Sequence, residues 1–136
     1  METKKTFAQQ VREKYGDTIE QFAFRIGASP ETVKKWESGS PLQCTARAIL
    51  FVAHKHDLPL KPEVSAEFLA LTPAQQVEKL RAGFGDTKLA FAQRIGVTQN
   101  AIHRWTNQGE MSPIGQRLLL EVAEHPERFV TTPSAF

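Results

Sequence analysis

The feature that most constrains this chain is an internal repeat, because two near-copies of one segment must build two near-copies of one local structure. Sliding the sequence by 69 positions lays residues 16–36 on residues 85–105, and nine of the 21 pairs are identical. The identities are a Gly-Asp-Thr triplet, Phe-Ala, Arg-Ile-Gly and a Trp. Other pairs are conservative: Ala28 with Val97, Ser29 with Thr98, Val33 with Ile102, Lys35 with Arg104. Upstream, Arg12 pairs with Arg81 and Tyr15 with Phe84. Downstream, with one residue inserted, Arg47 pairs with Arg117 and Ile49-Leu50 with Leu119-Leu120.

Both copies read as helices throughout. Ala8, Val11 and Tyr15, matched by Val77, Leu80 and Phe84, recur at i, i+3 and i+7, one face of a first helix. Gly16 and Gly85 end it. Thr18 and Thr87 are placed to cap a second helix that turns Phe22, Ala23 and Ile26, or Phe91, Ala92 and Ile95, inward. Gly27 and Gly96 close that helix. Ser29 and Thr98 then cap a third, with Pro30 at its first position, where a missing N–H costs nothing. Val33 and Trp36, or Ile102 and Trp105, form its buried side. A fourth helix rich in Ala, Ile, Leu and Val follows Pro41 and Pro113.

The expected organisation is therefore a first unit over 1–57, a linker over 58–72, a second unit over 73–129 and a loose tail over 130–136. Residues 58–73 hold three prolines, and residues 64–71 suit a short extra helix packed on the first unit, with Phe68 and Leu69 buried. So short a connection implies a compact, fixed arrangement of the units. Composition excludes several classes. No run approaches the roughly 20 apolar residues of a membrane span, and the opening METKKTFAQQ lacks the apolar centre of a secretory signal. A cytoplasmic setting is expected. The lone Cys44 forms no internal disulfide and has no His/Asp companions, so it reads as a small buried side chain. His54 and His56 point apart on a helix and are poor metal ligands. There is no glycine-rich phosphate loop after a strand. No enzyme, cofactor, metal or small-molecule ligand is expected.

A capped helix, a Gly-Ala-Ser or Gly-Val-Thr turn, and a second short capped helix with an inward Val or Ile and a Trp make a helix-turn-helix. The spacing resembles the Cro/lambda-repressor-like (Xre) family, whose pattern runs through Phe22-Ala23, Ile26-Gly27, Ser29, Val33 and Trp36-Glu37 to Gly39. The second copy follows it from Phe91-Ala92 to Trp105 and then departs, with Thr106 in place of Glu and Gly109 one residue late. The resemblance covers about 50 residues of each copy. It implies an all-α fold of two tandem lambda-repressor-like units of four to five helices each. It also implies an ion pair from Arg12 to Glu37 that ties the first helix to the end of the third. Thr106 cannot complete that pair in the second copy, which would leave Arg81 available to a phosphate.

Function would sit on the exposed positions of the third helices. In the second copy these are Thr98, Gln99, Asn100, His103, Arg104 and Asn107. Gln and Asn can bond the N6/N7 edge of adenine bidentately, and Arg can read guanine or hold phosphate. Lys88 opens the preceding helix where the family usually places a phosphate-contacting Gln, a task a cation can take over. The first copy offers Ser29, Glu31, Thr32, Lys34 and Lys35. It is the less favourable reader: residues 16–40 hold three basic and four acidic side chains, against three and one in residues 85–109.

Two linked readers gain affinity because the second contact is intramolecular. The expected function is thus a sequence-specific double-stranded DNA-binding regulator whose target is asymmetric, since the two exposed faces differ. By resemblance it is a repressor of phage, plasmid or other mobile-element type, acting by promoter occlusion. No stretch remains for an effector domain. The alternative is that one unit binds DNA and the other a protein partner, as in an antitoxin or an accessory factor of conjugation or phage development. Homodimerisation stays open.

Overall fold

The structure, a computed structural model, describes residues 5–129; the tail expected over 130–136 lies outside the described residues. Among those residues every regular element is helical, so the fold class is all-α. Four helices come first: α1 (Phe7–Tyr15), α2 (Ile19–Ile26), α3 (Pro30–Glu37) and α4 (Cys44–Lys55). A short α5 (Ala66–Leu69) precedes the second series, α6 (Pro73–Phe84), α7 (Lys88–Ile95), α8 (Gln99–His103) and α9 (Pro113–Glu124). A 3-10 turn over Pro126–Phe129 follows. No helix among the described residues is long and apolar enough to cross a membrane.

The helix starts follow from their caps. Thr18 accepts from the Gln21 N–H, and Gln21 returns a bond to the Thr18 N–H. Ser29, Thr87 and Thr98 accept from the third residue of their helices in the same way. Each cap satisfies an otherwise orphaned amide. Phe22, Ile26, Val33 and Trp36 are buried, as are Phe91, Ile95, Ile102 and Trp105. At about 1.5–3 kcal/mol per large apolar side chain, this burial is what holds the short helices in place.

The residue inserted in the second copy has a visible fate. Two residues separate Trp36 from Gly39, and three separate Trp105 from Gly109. The extra one is absorbed as a π turn over Arg104–Gln108 that directly continues α8. Inserting a residue this way keeps Trp105 buried while widening the last turn.

An identical charged cluster braces both copies. Arg25 makes two hydrogen bonds to the Asp17 carboxylate (2.8 and 3.1 Å), and Arg94 makes two to Asp86 (2.6 and 3.0 Å). Each guanidinium also stacks on the aromatic ring closing the preceding helix, Tyr15 at 4.3 Å and Phe84 at 4.4 Å. Each also donates to a backbone carbonyl beyond the fourth helix, of Leu58 and of Phe129 respectively. The Asp and Arg identities of the repeat are therefore a structural brace.

The linker differs from expectation. Its helix is only the four residues of α5, and the contacts of Phe68 run to the second series. Gln76 of α6 donates to the Phe68 carbonyl at 3.2 Å, and Phe68 shares a small cavity with Lys79 and Leu80 of α6 and Ala123 of α9. Phe68 is buried as its apolar character requires, but Leu69 is half exposed. A four-residue helix has one inward side only, and Phe68 takes it.

The two series pack through their last helices, α4 against α9, and one apolar core runs through both. The contact is reciprocal. The turn at Gly27 sits on Pro113 and Arg117 of α9, and the turn at Gly96 sits on Ala48 of α4. Reciprocal contacts between equivalent surfaces are the signature of an approximate twofold axis. Arg117 fastens one side: it is buried, and it donates to the Arg25 carbonyl at the end of α2 (2.9 Å), to the Pro59 carbonyl (3.3 Å) and to Glu121 (3.2 Å). Glu121 is fully buried and also accepts from Arg128 at 2.6 Å. Burial draws the Arg117 pKa below its usual value, against the pull of Glu121.

Two outcomes follow from these contacts. Both turn glycines hold a left-handed backbone, φ 80° at Gly27 and 85° at Gly96. A methyl at Gly96 would meet Ala48 at an ordinary 3.5 Å, whereas one at Gly27 would lie 2.7 Å from the Pro113 carbonyl oxygen. Gly96→Ala is expected to cost about 1–2 kcal/mol, and Gly27→Ala more, with urea unfolding as the measurement. The second concerns acid. The Arg94 hydrogen bond holds the Asp86 carboxyl below the ordinary carboxylate range. Its folded pKa lies under its unfolded one, so its stabilisation is complete above about pH 4 and is lost as pH falls through the folded value. Asp86→Asn should therefore lower stability near neutrality and flatten the loss below about pH 4 in acid titrations of the folded fraction.

Candidate nucleic-acid interface

The exposed side of α8 is set by what its other side buries. Ala101, Ile102 and Trp105 are buried, so Gln99, Asn100, His103 and Arg104 occupy the opposite arc of the helix, and all four are exposed. Thr98 is spent on the cap, accepting from the Ala101 N–H at 3.1 Å. The side chains of Gln99 and Asn100 make no hydrogen bond to any other described residue. Each amide thus presents a donor and an acceptor side by side, the pattern that matches a base edge. Asn107, on the π turn, hydrogen-bonds His103 Nδ1 through its side-chain amide at 2.7 Å. Lys88 stands half-buried at the first position of α7, without a hydrogen-bond partner among the described residues.

On α3, Val33 and Trp36 face the core, leaving Glu31, Lys34 and Lys35 exposed and Thr32 half-buried. Ser29 and Thr32 are tied to one another, hydroxyl to hydroxyl at 2.9 Å, with Ser29 also accepting the Thr32 amide. Ser29 is therefore a cap as much as a surface group. The arc that remains carries one carboxylate and two ammonium groups, against two amides and an imidazole on α8 and a guanidinium at the start of the π turn.

The Arg12–Glu37 ion pair is present, bidentate at 2.6 and 3.0 Å. It joins the start of the first series to the end of α3 and fixes how that helix is presented. The second series lacks the carboxylate: Thr106 instead donates back to the Ile102 carbonyl at 2.9 Å. Arg81 is not left free for a phosphate, however. It pairs with Glu78 one turn earlier and donates to the Asp86 carbonyl at 2.8 Å. Its expected availability is corrected: a guanidinium with an acidic neighbour three residues away on its own helix finds that neighbour first.

The two helices share one concavity. A groove of about 860 Å³ is lined by Lys35 and Trp36 from α3 and by their counterparts Arg104 and Trp105. Ser40 and its counterpart Glu110 line it as well. Matched residues of both copies bordering one groove place it on the approximate twofold axis, between the exposed arcs. Gln43, Thr45 and Ser112 also border it, and sequence reasoning did not pick them out. They sit at or next to the starts of α4 and α9, where their spacing reads as helix entry. Only the contact between the two series turns them toward a common space.

Comparison of the chain with models of protein families, with curated proteins and with solved structures gives no match.

Because Thr98 caps and its neighbours do not, stability separates them. Thr98→Ala is expected to lower stability by about 1 kcal/mol, and Gln99→Ala and Asn100→Ala to change it by less than about 0.5 kcal/mol each, as read by thermal melts.

Proposed function

We propose that this chain is a sequence-specific double-stranded DNA-binding regulator of the Cro/lambda-repressor-like kind, with two readers in one polypeptide. The observation that carries the reading is the arc of Gln99, Asn100, His103 and Arg104: exposed, opposite a fully buried face, with both amides unengaged. A helix kept merely soluble would more often display Glu and Lys. Here the amides suit adenine, the guanidinium suits guanine or phosphate, and the single acidic residue between 85 and 109, Asp86, is locked to Arg94 away from the arc. Thr98 and Asn107 support this arc through the cap and the His103 bond. Lys88 supplies a positive charge at the start of α7 for a flanking phosphate.

The first copy contributes a second, different reading surface through Glu31, Thr32, Lys34 and Lys35, with Ser29 holding the helix start. Glu31 can accept from the cytosine amino group, and the lysines favour backbone. Unequal arcs on matched helices imply an asymmetric target. In the cytoplasm such a protein represses by covering a promoter, with no catalytic step, and its closest functional analogy is with regulators of phages, plasmids and other mobile elements. A second reading is favoured by the Glu31 carboxylate: the first series binds a protein partner while the second binds DNA.

Selection of bound sequences from a random duplex pool tests both. The wild type is expected to enrich a non-palindromic motif, and Gln99→Ala/Asn100→Ala to lose one part of it. Failure to enrich any sequence, with no binding even at low salt, would defeat the DNA reading; a perfect palindrome would replace the single-chain reader with a symmetric dimer. Lys34→Glu/Lys35→Glu should weaken binding if both copies touch DNA, and leave it unchanged if the first serves a protein.

A further inference from the structure

Arg104 stands apart from the other arginines of the molecule, and its repeat counterpart Lys35 borders the same groove. Among the eight arginines, seven are engaged: Arg12, Arg25, Arg81, Arg94, Arg117 and Arg128 with carboxylates, and Arg47 with the Leu42 carbonyl. Arg104 alone has no partner among the described residues, and its repeat counterpart Lys35 has none either. The border of one groove thus presents a matched pair of exposed positive charges without an internal partner among the described residues. The remaining border carries neutral polar groups: the hydroxyls of Ser40, Thr45 and Ser112 and the amide of Gln43, with the Thr32 hydroxyl bonded to Ser29. Hydroxyls and amides beside Lys and Arg are the groups that hold phosphate oxygens. Glu110 is the single carboxylate on that border.

We propose that the groove faces the duplex midway between the two read segments, with Lys35 and Arg104 as a paired cationic clamp, one to the sugar–phosphate backbone of each strand, that carries no sequence information. This rests on the DNA-binding reading above and divides its residues: the amides of α8 specify, and the matched cations on the axis position. Base reading by Lys35 and Arg104, the other role open to them, requires those side chains to reach a groove of the DNA. A twofold axis exchanges the two strands, so cations on either side of it lie over the two phosphate backbones that flank the DNA groove centred there. The centre of the target is then a stretch held but not read.

The test is a salt titration of affinity on two labelled duplexes, one carrying the selected motif and one scrambled, for wild type, Lys35→Ala, Arg104→Ala, the double variant, Arg104→Lys and Glu110→Gln. Neither cation has an internal partner to lose, so the variants keep the fold, and Arg104→Lys keeps the charge. The slope of log affinity against log salt should fall by about one for each single alanine variant and by about two for the double. Affinity should drop by the same factor on both duplexes, leaving selectivity unchanged. Arg104→Lys should retain the wild-type slope, and Glu110→Gln should bind both duplexes more tightly. If the wild type binds but the double variant shows an unchanged slope, the clamp is refuted while the DNA reading stands. A loss confined to the selected duplex refutes it too, by making the two cations base readers. If the wild type binds neither duplex, the clamp fails together with the DNA reading. A polyglutamate peptide bound by wild type and not by the double variant would then assign the groove to an acidic protein segment.

Discussion

The packing of α4 on α9 sets everything that the exposed faces can do, because the turn leading into each third helix rests on the last helix of the other series. Gly27 lies so close to α9 that no side chain fits between them, and Arg117 reaches across to the carbonyl that ends α2. The presentation of α3 is thereby determined from the opposite half of the chain. The same holds in return at Gly96, though more loosely, since an ordinary van der Waals distance separates it from Ala48. Two surfaces that would otherwise move independently on a proline-containing connection are held as one.

Within each series the forces differ in a way that tracks sequence. The Asp–Arg–aromatic brace is the same in both, down to the backbone carbonyl that completes it. The Arg12–Glu37 tie exists in one copy only, and its counterpart Arg81 is redirected, with its Nε buried and unbonded. A tie that spans two helices limits where the second helix can end. Where it is missing, the chain accommodates one more residue as a π turn, and the exposed arc gains Asn107 as a support for His103. Loss of the tie and gain of the extra turn fall on the same strip of structure, which is physically consistent: a relaxed constraint leaves room for the insertion.

Much of this was legible beforehand, for reasons that are local. The caps at Thr18, Ser29, Thr87 and Thr98 depend on bonds to residues three positions ahead, and the buried faces depend on helical periodicity, so both can be read in a window of a dozen residues. The exposed arc of α8 follows from the same periodicity. What escaped depends on partners far away in the chain. Arg117 and Arg25 are separated by 92 positions, and nothing near Arg117 announces that its guanidinium will be buried. The side on which α5 packs was misplaced because Phe68 is apolar toward either neighbour, and only the geometry of α6 and α9 decides between them. The shared groove was invisible because it belongs to neither copy alone.

Arg47 and Arg117 hold matched places in the repeat, yet Arg47 is exposed with a single long contact to the Leu42 carbonyl (3.4 Å), while Arg117 is enclosed by groups of both halves. That divergence gives the duplicated chain a polarity. One residue type at matched positions thus meets solvent in the first half and bridges the two halves in the second. Each half has become part of the other's interior, so a substitution in one is tolerated only if the other still fits around it.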